Sequence, residues 1–325
     1  MQPFLEHGGR LAVAMTTWPD APRPWIDLST GINPWPYPAP PASRTARARL
    51  PDPDEVAALE AVAARAFGVA DPALVMATPG AEAAIRLLPR LVPGARVWIK
   101  RPTYGGHRAA WIGAGHMIVD DPDLADVQVV VNPNNPDGAL ETPAALDARA
   151  DLLARRGGWL VVDESFVDTL AGASVAPLAH PRMLMLRSFG KFYGLAGLRL
   201  GFLAGDPQVI GRARALQGDW PVSADAIAAG LEAYADAAWA DRTRLKLAQQ
   251  AARLDDRLQR AGFAIVGGTS LFRLAEAADA ADRFAALARR GILTRPFAEQ
   301  PRWLRFGLPT AAARPRLAAA LNSLA

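Results

Sequence analysis

The sequence predicts an α/β protein with a mostly parallel central sheet between helices and a smaller α+β domain. Several short runs are apolar throughout, as in strands that are covered on both faces. Segments with helical apolar spacing separate these runs, and this alternation is typical of parallel sheets. After Asp206 the spacing becomes mostly helical, and a short section of strands closes the chain. These three observations define the predicted architecture.

The predicted elements follow one another along the chain. The N-terminal segment is rich in proline and tryptophan and shows no sustained period. The apolar spacing predicts helices over residues 56–67, 81–91 and 143–156, and the second begins after a Pro-Gly turn that favours a helix start. The predicted strands cover residues 74–77, 96–99, 127–131, 159–162, 183–186, 200–204, 263–266, 270–274 and 303–307.

The length and the pattern together predict the domain organisation. A chain of 325 residues is long enough for one large core and a second, smaller lobe. We expect residues 1–25 to form an arm that belongs to the small domain, residues 26–207 to form the large domain, and residues 208–325 to form the small C-terminal domain.

The composition excludes several kinds of protein. The sequence contains no cysteine, which excludes disulfide frameworks and thiolate metal sites, and we expect no metal site of another kind. The N-terminal residues lack the apolar run of a signal peptide, and no segment approaches the roughly 20 apolar residues of a membrane span. A soluble, cytoplasmic protein without a membrane partner is therefore expected.

The positive charge of the chain comes from arginine. The formal net charge is +4 and the pI is about 9.8, yet the only lysines are Lys100, Lys191 and Lys246. The arginines are scattered through alanine-rich helical segments, whereas a nucleic-acid-binding protein more often has a dense basic run with interleaved aromatic residues. The pattern is typical of solvated helix faces, so we expect no nucleic-acid partner.

Distinctive residues follow four of the predicted strands. WLVVDES ends on Asp163, VVVNPNNPDG ends in a turn rich in asparagine and proline, and VMATPGAEAAI enters a helix through Pro-Gly. MLMLRSFGKFYGLAGLRLG contains Ser188, Lys191 and Arg199. Each motif alone is explained by a helix cap, a turn or a surface charge. In an open α/β sheet, however, ligands bind at the carboxyl ends of the strands, where all four motifs lie.

Taken together, these motifs resemble fold type I enzymes that use pyridoxal 5'-phosphate (PLP), the aspartate aminotransferase superfamily of class I and II. In that family a strand-end aspartate, an S-x-x-K motif and an arginine eight residues after the lysine occur in this order, as Asp163, Ser188 to Lys191 and Arg199 do here. The resemblance covers residues 27–309, nearly the whole chain. It implies the PLP-dependent transferase-like fold, a PLP-binding large domain and a homodimer.

The resemblance also implies a role for each motif residue. PLP acts as an electron sink, and the protein supplies its orientation and electrostatics. Lys191 would bind PLP covalently through its amine and later donate a proton, Asp163 would hold the ring nitrogen protonated, and Tyr104 would stack on the ring as the third catalytic residue. Asn135 would hydrogen-bond the 3'-oxygen of the ring. Backbone and side-chain donors at a helix N-terminus would bind the phosphate, namely Gly80, Ala81, Glu82, Ser188 and Arg199.

Two positions depart from the pattern of the superfamily. Phe166 stands three residues after Asp163, where aminotransferases usually have a tyrosine that donates to the 3'-oxygen. Leu50 stands where a tyrosine commonly reaches the cofactor phosphate of the neighbouring subunit. The first change leaves Asn135 as the main donor to that oxygen, and the second removes a contact across the dimer interface.

The outer parts of the chain resemble a narrower branch. His7-Gly8-Gly9 and the segment DLSTGINPWPYP are similar to those of the L-threonine-O-3-phosphate decarboxylases of cobalamin biosynthesis. This resemblance implies that L-threonine O-3-phosphate loses CO2 and yields (R)-1-amino-2-propanol O-2-phosphate. Arg305, in WLRFGLP, would then bind the α-carboxylate of the substrate. Arg295, His7 and Asn33 would surround the substrate phosphate.

Two other functions stay open at this point. Histidinol-phosphate aminotransferases share the scaffold and a phosphorylated substrate, but they must also accept 2-oxoglutarate; Phe166 and the N-terminal HGG favour the decarboxylase. A PLP-fold module without catalytic activity, acting as a regulator, would have no need of Lys191 or Asp163, and this chain keeps both. The sequence does not distinguish decarboxylation from transamination, because that choice depends on the orientation of the bound substrate.

Overall fold

The computed structural model describes residues 2–5, 7–92, 94 and 96–324. The chain divides into two compact units. The larger unit consists of Pro36–Asn135 and Ala139–Asp241, and the smaller unit consists of Met1–Trp35, Pro136–Gly138 and Arg242–Ala325. The domain boundaries expected from the sequence stay a prediction.

The secondary structure begins and ends as follows in the described part of the chain. The α-helices are α1 (Leu11–Thr17), α2 (Arg44–Arg47), α3 (Pro53–Phe67), α4 (Ala81–Leu91), α5 (Gly105–Gly113), α6 (Pro143–Ala154), α7 (Phe189–Phe192), α8 (Pro207–Gln217), α9 (Ala224–Ala235), α10 (Ala237–Arg260), α11 (Ala280–Arg289) and α12 (Arg314–Asn322). The strands are β1 (Ile26–Asp27), β2 (Val75–Thr78), β3 (Arg96–Ile99), β4 (Met117–Val119), β5 (Val127–Val131), β6 (Trp159–Asp163), β7 (Met183–Ser188), β8 (Gly201–Ala204), β9 (Ala264–Thr269), β10 (Phe272–Glu276), β11 (Ile292–Leu293), β12 (Arg295–Pro296) and β13 (Trp303–Gly307). Short 3-10 helices lie at Gln2–Phe4, Pro72–Leu74, Pro122–Leu124, Val167–Thr169, Ala176–Leu178 and Ala196–Leu198.

The larger unit is built on a seven-stranded sheet in the order β2-β8-β7-β6-β5-β3-β4. Neighbouring strands are parallel except at β8, which is antiparallel to both β2 and β7. All residues of β2, β5, β6 and β8 are buried, as expected for strands that are covered on both faces. Strand and helix residues share one core, whose larger members include Met76, Leu88, Trp111, Trp159, Val161, Leu184, Leu186 and Leu203.

One edge of this sheet collects the ends of several strands. Gly201 pairs with both Ser188 and Thr78, so the start of β8 lies between the ends of β7 and β2. On the neighbouring strands Asp163 pairs with Val131 at the ends of β6 and β5. Helices α4, α5 and α7 begin close behind β2, β3 and β7. The residues after each strand are therefore gathered along the carboxyl edge.

The smaller unit contains a four-stranded antiparallel sheet in the order β12-β13-β10-β9. A separate parallel pair joins β1 to β11, with Ile26 opposite Ile292. The buried residues of helix α11 include Phe284 and Leu287, which give it an apolar face. This unit supplies the α+β part of the predicted architecture.

The predicted elements agree closely with the observed ones. The helix over 81–91 and the strands over 96–99, 127–131 and 303–307 have the observed bounds. The elements that were not predicted include α1 (Leu11–Thr17) and β4 (Met117–Val119). Only Ala14 of α1 is buried, and no residue of β4 is fully buried, so neither element has the apolar pattern that the prediction relies on. In the described residues no helix combines the length and apolarity needed to cross a membrane.

Candidate active site

The predicted site residues divide between the two units. Those expected to bind the cofactor lie in the larger unit, at or just beyond the carboxyl ends of its strands: Gly80, Ala81, Glu82, Tyr104, Asn135, Asp163, Ser188, Lys191 and Arg199. Those expected to bind substrate lie in the smaller unit: His7, Asn33, Arg295 and Arg305.

Asp163, the last residue of β6, is a buried carboxylate with its acceptors occupied. It is 2% exposed, and its Oδ2 is 2.9 Å from His107 Nε2. The hydroxyl and the backbone N–H of Ser165 both donate to Oδ1, at 2.5 and 2.9 Å. Burial alone would raise the pKa of Asp163, but the hydrogen bonds from His107 and Ser165 outweigh it and hold the pKa below the usual value. Asp163 is therefore an ionised group in a position to hold a cationic N–H.

His107 is a site residue that sequence reasoning missed. It lies in α5, is fully buried, and donates from Nε2 because the ionised Asp163 can only accept. Among the described residues no group hydrogen-bonds its buried Nδ1. The signal in the sequence was weak: a single histidine three residues after Tyr104, in a helix that follows β3, which is not adjacent to β6 in the sheet.

Tyr104 and Glu82 join the N-terminal ends of helices α5 and α4. The Tyr104 hydroxyl donates to Glu82 Oε2 at 3.2 Å, while Glu82 Oε1 accepts from Arg86 at 2.8 Å. Burial, followed by the negative charges of Glu82 and Asp163, raises the pKa of Tyr104 to about 12. Tyr104 thus stays a neutral donor near neutral pH, and its ring meets that of His107 edge-on at 6.3 Å.

The start of helix α4 forms a cradle for an anion. Its cap residue Gly80 has a φ of +87° and no side chain to satisfy the first N–H groups of the helix. A Cβ at Gly80 would lie 2.5 Å from Arg199 Nη2, and a Cβ at Gly201 would lie 2.4 Å from the nitrogen of Ala81. Two glycines therefore let the Arg199 guanidinium and the start of β8 approach the helix N-terminus, which favours anions.

Lys191 lies on the short helix α7 within a group of aromatic residues. Its Nζ is 5.7 Å from the centre of the Phe166 ring, and Phe166 is 3% exposed. On the same turn Tyr193 stacks between Phe189, at 4.8 Å, and Trp239, at 5.5 Å. These stacked rings hold the turn that carries the lysine, and Ser188 precedes it at the end of β7.

The asparagine-rich turn after β5 is braced by its neighbours. Asn132 exchanges hydrogen bonds with the backbone of Glu141, at 2.8 and 3.0 Å. Asn134 donates to the carbonyl of Pro102 at 2.8 Å and accepts from the Thr103 hydroxyl at 2.7 Å. Asn135 follows directly as a half-buried residue. The turn thus places Asn135 at the same edge as the strand-end aspartate.

In the smaller unit, two buried arginines lie side by side. Arg305 on β13 and Arg295 on β12 are register partners, 7% and 9% exposed. Arg305 Nη2 donates to the carbonyl of Ser29 at 2.8 Å, and Arg295 Nη1 donates to the carbonyl of Phe4. Burial, followed by the positive charge of Arg295, lowers the pKa of Arg305 to about 9, while Asp27 opposes this shift.

The N-terminal HGG packs beside this arginine pair. Gly8 lies so close to Ser29 that a Cβ would be 2.3 Å from its carbonyl oxygen, and Gly9 N–H donates to the Ser29 hydroxyl at 2.7 Å. Since that same carbonyl accepts from Arg305, the segment is linked to the arginine through one residue. His7 is exposed, and Asn33 is 2% exposed and accepts from the backbone of Trp35 at 2.9 Å.

Leu50 lies apart from these groups. Its side chain is 61% exposed, at the position where the superfamily commonly has a tyrosine. The described contacts assign it no role in the site of its own chain.

Comparisons with known proteins show the family of the chain. Residues 25–321 match the family described as aminotransferase class I and II. The chain is 42% identical to a threonine-phosphate decarboxylase of Pseudomonas aeruginosa, over 98% of this chain and 97% of the relative. It is 40% identical to a threonine-phosphate decarboxylase of Sinorhizobium sp, again over 98% and 97%.

The fold is also found among solved structures. A histidinol-phosphate aminotransferase from Sinorhizobium meliloti, solved in complex with pyridoxal-5'-phosphate, superposes with a TM-score of 0.82. The match covers 96% of this chain and 93% of that one at 22% identity, which bears on the fold alone. The predicted fold type I architecture is confirmed, and so is the resemblance drawn from the strand-end motifs. The chain belongs to the class I and II aminotransferase family.

Proposed function

We propose that this chain is a PLP-dependent decarboxylase that converts L-threonine O-3-phosphate to (R)-1-amino-2-propanol O-2-phosphate and CO2 in cobalamin biosynthesis. The observation that carries the proposal is the similarity, over nearly the full chain, to two threonine-phosphate decarboxylases. The buried pair Arg295 and Arg305 supports it, because the substrate has two anionic groups, a carboxylate and a phosphate.

The residues of the larger unit fit PLP. The cradle at Gly80 and Arg199 suits the cofactor phosphate, since it combines a helix N-terminus with a guanidinium. Buried, ionised Asp163 suits the protonated ring nitrogen. Lys191 provides the amine for the covalent link, and Ser188 and Asn135 supply polar side chains at the same edge. When bound, PLP withdraws into its ring the electrons of the broken Cα bond.

The protein's own groups then direct the reaction. Asp163 keeps the ring nitrogen protonated, and His107 and Ser165 keep Asp163 ionised. Lys191 Nζ would donate a proton to the carbon that loses CO2. Tyr104, with a raised pKa, holds its own proton and would lie against the ring. Ala81 and Glu82 would contribute backbone N–H groups to the phosphate.

Substrate orientation decides which Cα bond breaks. Arg305 binds the α-carboxylate, and Arg295 binds the substrate phosphate together with His7 and Asn33. Two anion contacts on one small molecule fix its rotation, and such positioning can contribute several kcal/mol to the rate. The side-by-side arrangement of the arginines favours a ligand with both groups over histidinol phosphate, which has a phosphate but no carboxylate.

An assay with two arms tests the proposal. Purified protein with PLP is given L-threonine O-3-phosphate, and CO2 release is measured with and without 2-oxoglutarate. In parallel it is given histidinol phosphate with 2-oxoglutarate, and glutamate is measured. We expect stoichiometric CO2 without a keto acid. Glutamate formation that depends on the keto acid, without CO2, would contradict the proposal and assign the chain to the aminotransferases.

The covalent link has its own test. Lys191→Ala is expected to abolish turnover and the visible absorbance band of the PLP–lysine adduct. Lys246→Ala is the matched control, because Lys246 lies over the Trp35 ring at 4.1 Å in the smaller unit and has no proposed role. A visible band that persists in Lys191→Ala but disappears in Lys246→Ala would contradict the assignment.

The same proposal includes a cytoplasmic homodimer, as the resemblance to fold type I enzymes implies. Sedimentation equilibrium of the PLP-bound protein measures its mass. A mass of two chains is expected, and a mass of one chain at assay concentrations would contradict the dimer.

A further inference from the structure

A buried ion cluster lies directly behind the strand ends of the candidate site. Arg187 is 3% exposed and Glu164 is fully buried. Arg187 Nε lies 3.1 Å from Glu164 Oε2, Nη1 donates to Asp168 Oδ1, and Nη2 donates to the Ser174 hydroxyl at 2.9 Å. Ser174 in turn donates to Glu164 at 2.8 Å, and the Val175 N–H donates to Glu164 at 2.6 Å. One guanidinium thus gathers side chains from three positions of the chain.

The charges of Arg187, Glu164 and Asp168 interact strongly because the cluster is shielded from water. Burial alone would lower the pKa of Arg187, but the charges of Asp168 and Glu164 outweigh it and keep the residue cationic. The guanidinium also lies over the ring of Phe67 at 4.5 Å. The Phe67 ring holds the planar guanidinium on its face, and the carboxylates hold it along its edge, so it has one orientation. A lysine ammonium in the same place would not be oriented in this way.

The members of this cluster are chain neighbours of the proposed PLP-binding residues. Glu164 follows Asp163, and Arg187 precedes Ser188. The Glu164 N–H donates to the carbonyl of Leu186 at 2.9 Å, and the Arg187–Glu164 ion pair therefore lies beside the carboxyl ends of β6 and β7.

The loop after Glu164 extends this connection. The carbonyl of Glu164 accepts from the N–H of Val167 at 3.1 Å, and Phe166 lies within that turn. Phe166 in turn faces the Lys191 amine. Asp168, the second carboxylate bound to Arg187, stands at the far end of the same turn.

We propose that Arg187 is a positioning residue for the PLP site. It acts through Glu164 and Asp168 to fix the main chain at Asp163, Phe166 and Ser188, and it touches neither PLP nor substrate. The inference rests on the proposed function, since that function assigns Asp163 and Ser188 to the cofactor, as well as Lys191, which Phe166 faces. A cluster that served stability alone would be replaceable by neutral side chains of similar size, as buried ion pairs often are.

The experiment separates positioning from stability. Arg187→Met leaves the buried Glu164 and the half-buried Asp168 without their cation and is expected to lower the melting temperature and weaken PLP binding. The triple variant Arg187→Met, Glu164→Gln, Asp168→Asn removes all three charges and is expected to recover most of the melting temperature. Arg187→Lys keeps the charge but loses the planar fork. For the triple variant and for Arg187→Lys we expect the PLP dissociation constant to stay about tenfold or more above that of the natural protein. Loss of the groups that orient metal ligands weakens metal binding by a similar factor.

Arg273→Met is the control for the loss of an ion pair. It breaks a half-buried ion pair with Asp255 in the smaller unit and is expected to leave PLP affinity unchanged. The pH profile of the visible band in each PLP-bound variant is a second measurement, expected to shift in the triple variant and in Arg187→Lys. Natural PLP affinity and pH profile in both of these variants would overturn the inference. If the natural protein binds PLP but releases no CO2, the proposed function is contradicted. The PLP affinities of the variants would still decide whether Arg187 positions the PLP site.

Discussion

Arg295 and Arg305 lie directly opposite each other on strands β12 and β13, and both are buried. Like charges in such a cross-strand pair destabilise a sheet. Backbone carbonyls of Phe4 and Ser29 accept from the two guanidiniums, and the charge of Asp27 acts against the shift in the pKa of Arg305. An anionic ligand, as proposed, would add negative charge beside the two guanidiniums and reduce their repulsion.

The pKa of Arg305 predicts how anion binding changes with pH. Because Arg305 has a pKa of about 9, lowered mainly by burial, it loses its charge as pH rises through 9. We expect affinity for a carboxylate ligand to fall about tenfold for each pH unit above that value. The ligand should be an analogue of L-threonine O-3-phosphate that lacks the amino group, so that the substrate amine does not titrate in the same range.

The free energy of unfolding should change in the opposite direction to anion affinity and rise with pH above 9. In the unfolded chain Arg305 has its ordinary, higher pKa, so above pH 9 the unfolded chain binds more protons than the folded one. Neutralising Arg305 therefore favours folding as pH rises.

Arg305→Met should remove the pH dependence of anion binding above 9, and an unchanged profile in that variant would assign the titration to another group.

Separate substitutions distinguish the roles of the two arginines. Arg305→Met should reduce affinity for L-threonine O-3-phosphate about ten- to hundredfold, the effect of losing one charged hydrogen bond. Its effect on the product, which has no carboxylate, should be small. Arg295→Met should show the reverse, with a large effect on the product and a small effect on L-threonine.

Competition assays with these three ligands measure the difference. Arg302→Met is the matched control, since Arg302 directly precedes β13 and forms an ion pair with Glu276 that is largely exposed. Equal losses for all three ligands in both variants would contradict the separate roles.

His107 should control the charge of Asp163. His107→Phe removes the donor to Oδ2, so burial would then raise the pKa of Asp163 and favour its neutral form. We expect PLP affinity to fall about tenfold, as for the loss of a charged hydrogen bond. His107→Gln, which offers an N–H at a similar reach, should recover part of it. Fluorescence titration of the apoprotein with PLP measures both variants, and equal affinities in the two would rule out the hydrogen bond as the cause.

Much of the fold could be predicted because the buried strands are apolar throughout. Runs such as VQVVV and WLVVD mark β5 and β6 without any knowledge of their neighbours. The orientation of β8 could not be predicted in this way, because the same apolar run suits a parallel or an antiparallel strand. It is set by the connection from Ser188 to Gly201, which stays at one edge of the sheet.

The candidate site was predictable only where a residue type carries its own chemistry. Lys191 and Asp163 stand out because a lysine and an aspartate follow apolar strands in a family motif. His107 and Arg187 do not stand out, since their roles come from partners that are 56 and 23 positions away or from the packing of two strands. The link between Phe4 and Arg295 joins opposite ends of the chain and has no signal in sequence.

Gly80 provides a test of the phosphate cradle that depends on shape alone. A Cβ there would lie 2.5 Å from Arg199 Nη2, at the far end of a flexible side chain, so Gly80→Ala should fold while displacing the guanidinium. The backbone at Gly80, with φ +87° and ψ 157°, lies in a region that essentially only glycine adopts, so the substitution adds about 1–3 kcal/mol of strain. Gly157→Ala is the matched control, because Gly157 has a φ of +74° and a Cβ there would meet nothing within 4 Å.

Both glycine variants should lose thermal stability, whereas only Gly80→Ala should weaken PLP binding. Inorganic phosphate offers an independent probe of the same cradle. In the natural protein it should compete with PLP, and in Gly80→Ala its inhibition constant should rise together with the PLP dissociation constant. If the two variants bind PLP and phosphate equally well, Arg199 does not contribute to the cradle, and the helix N-terminus alone would have to hold the anion.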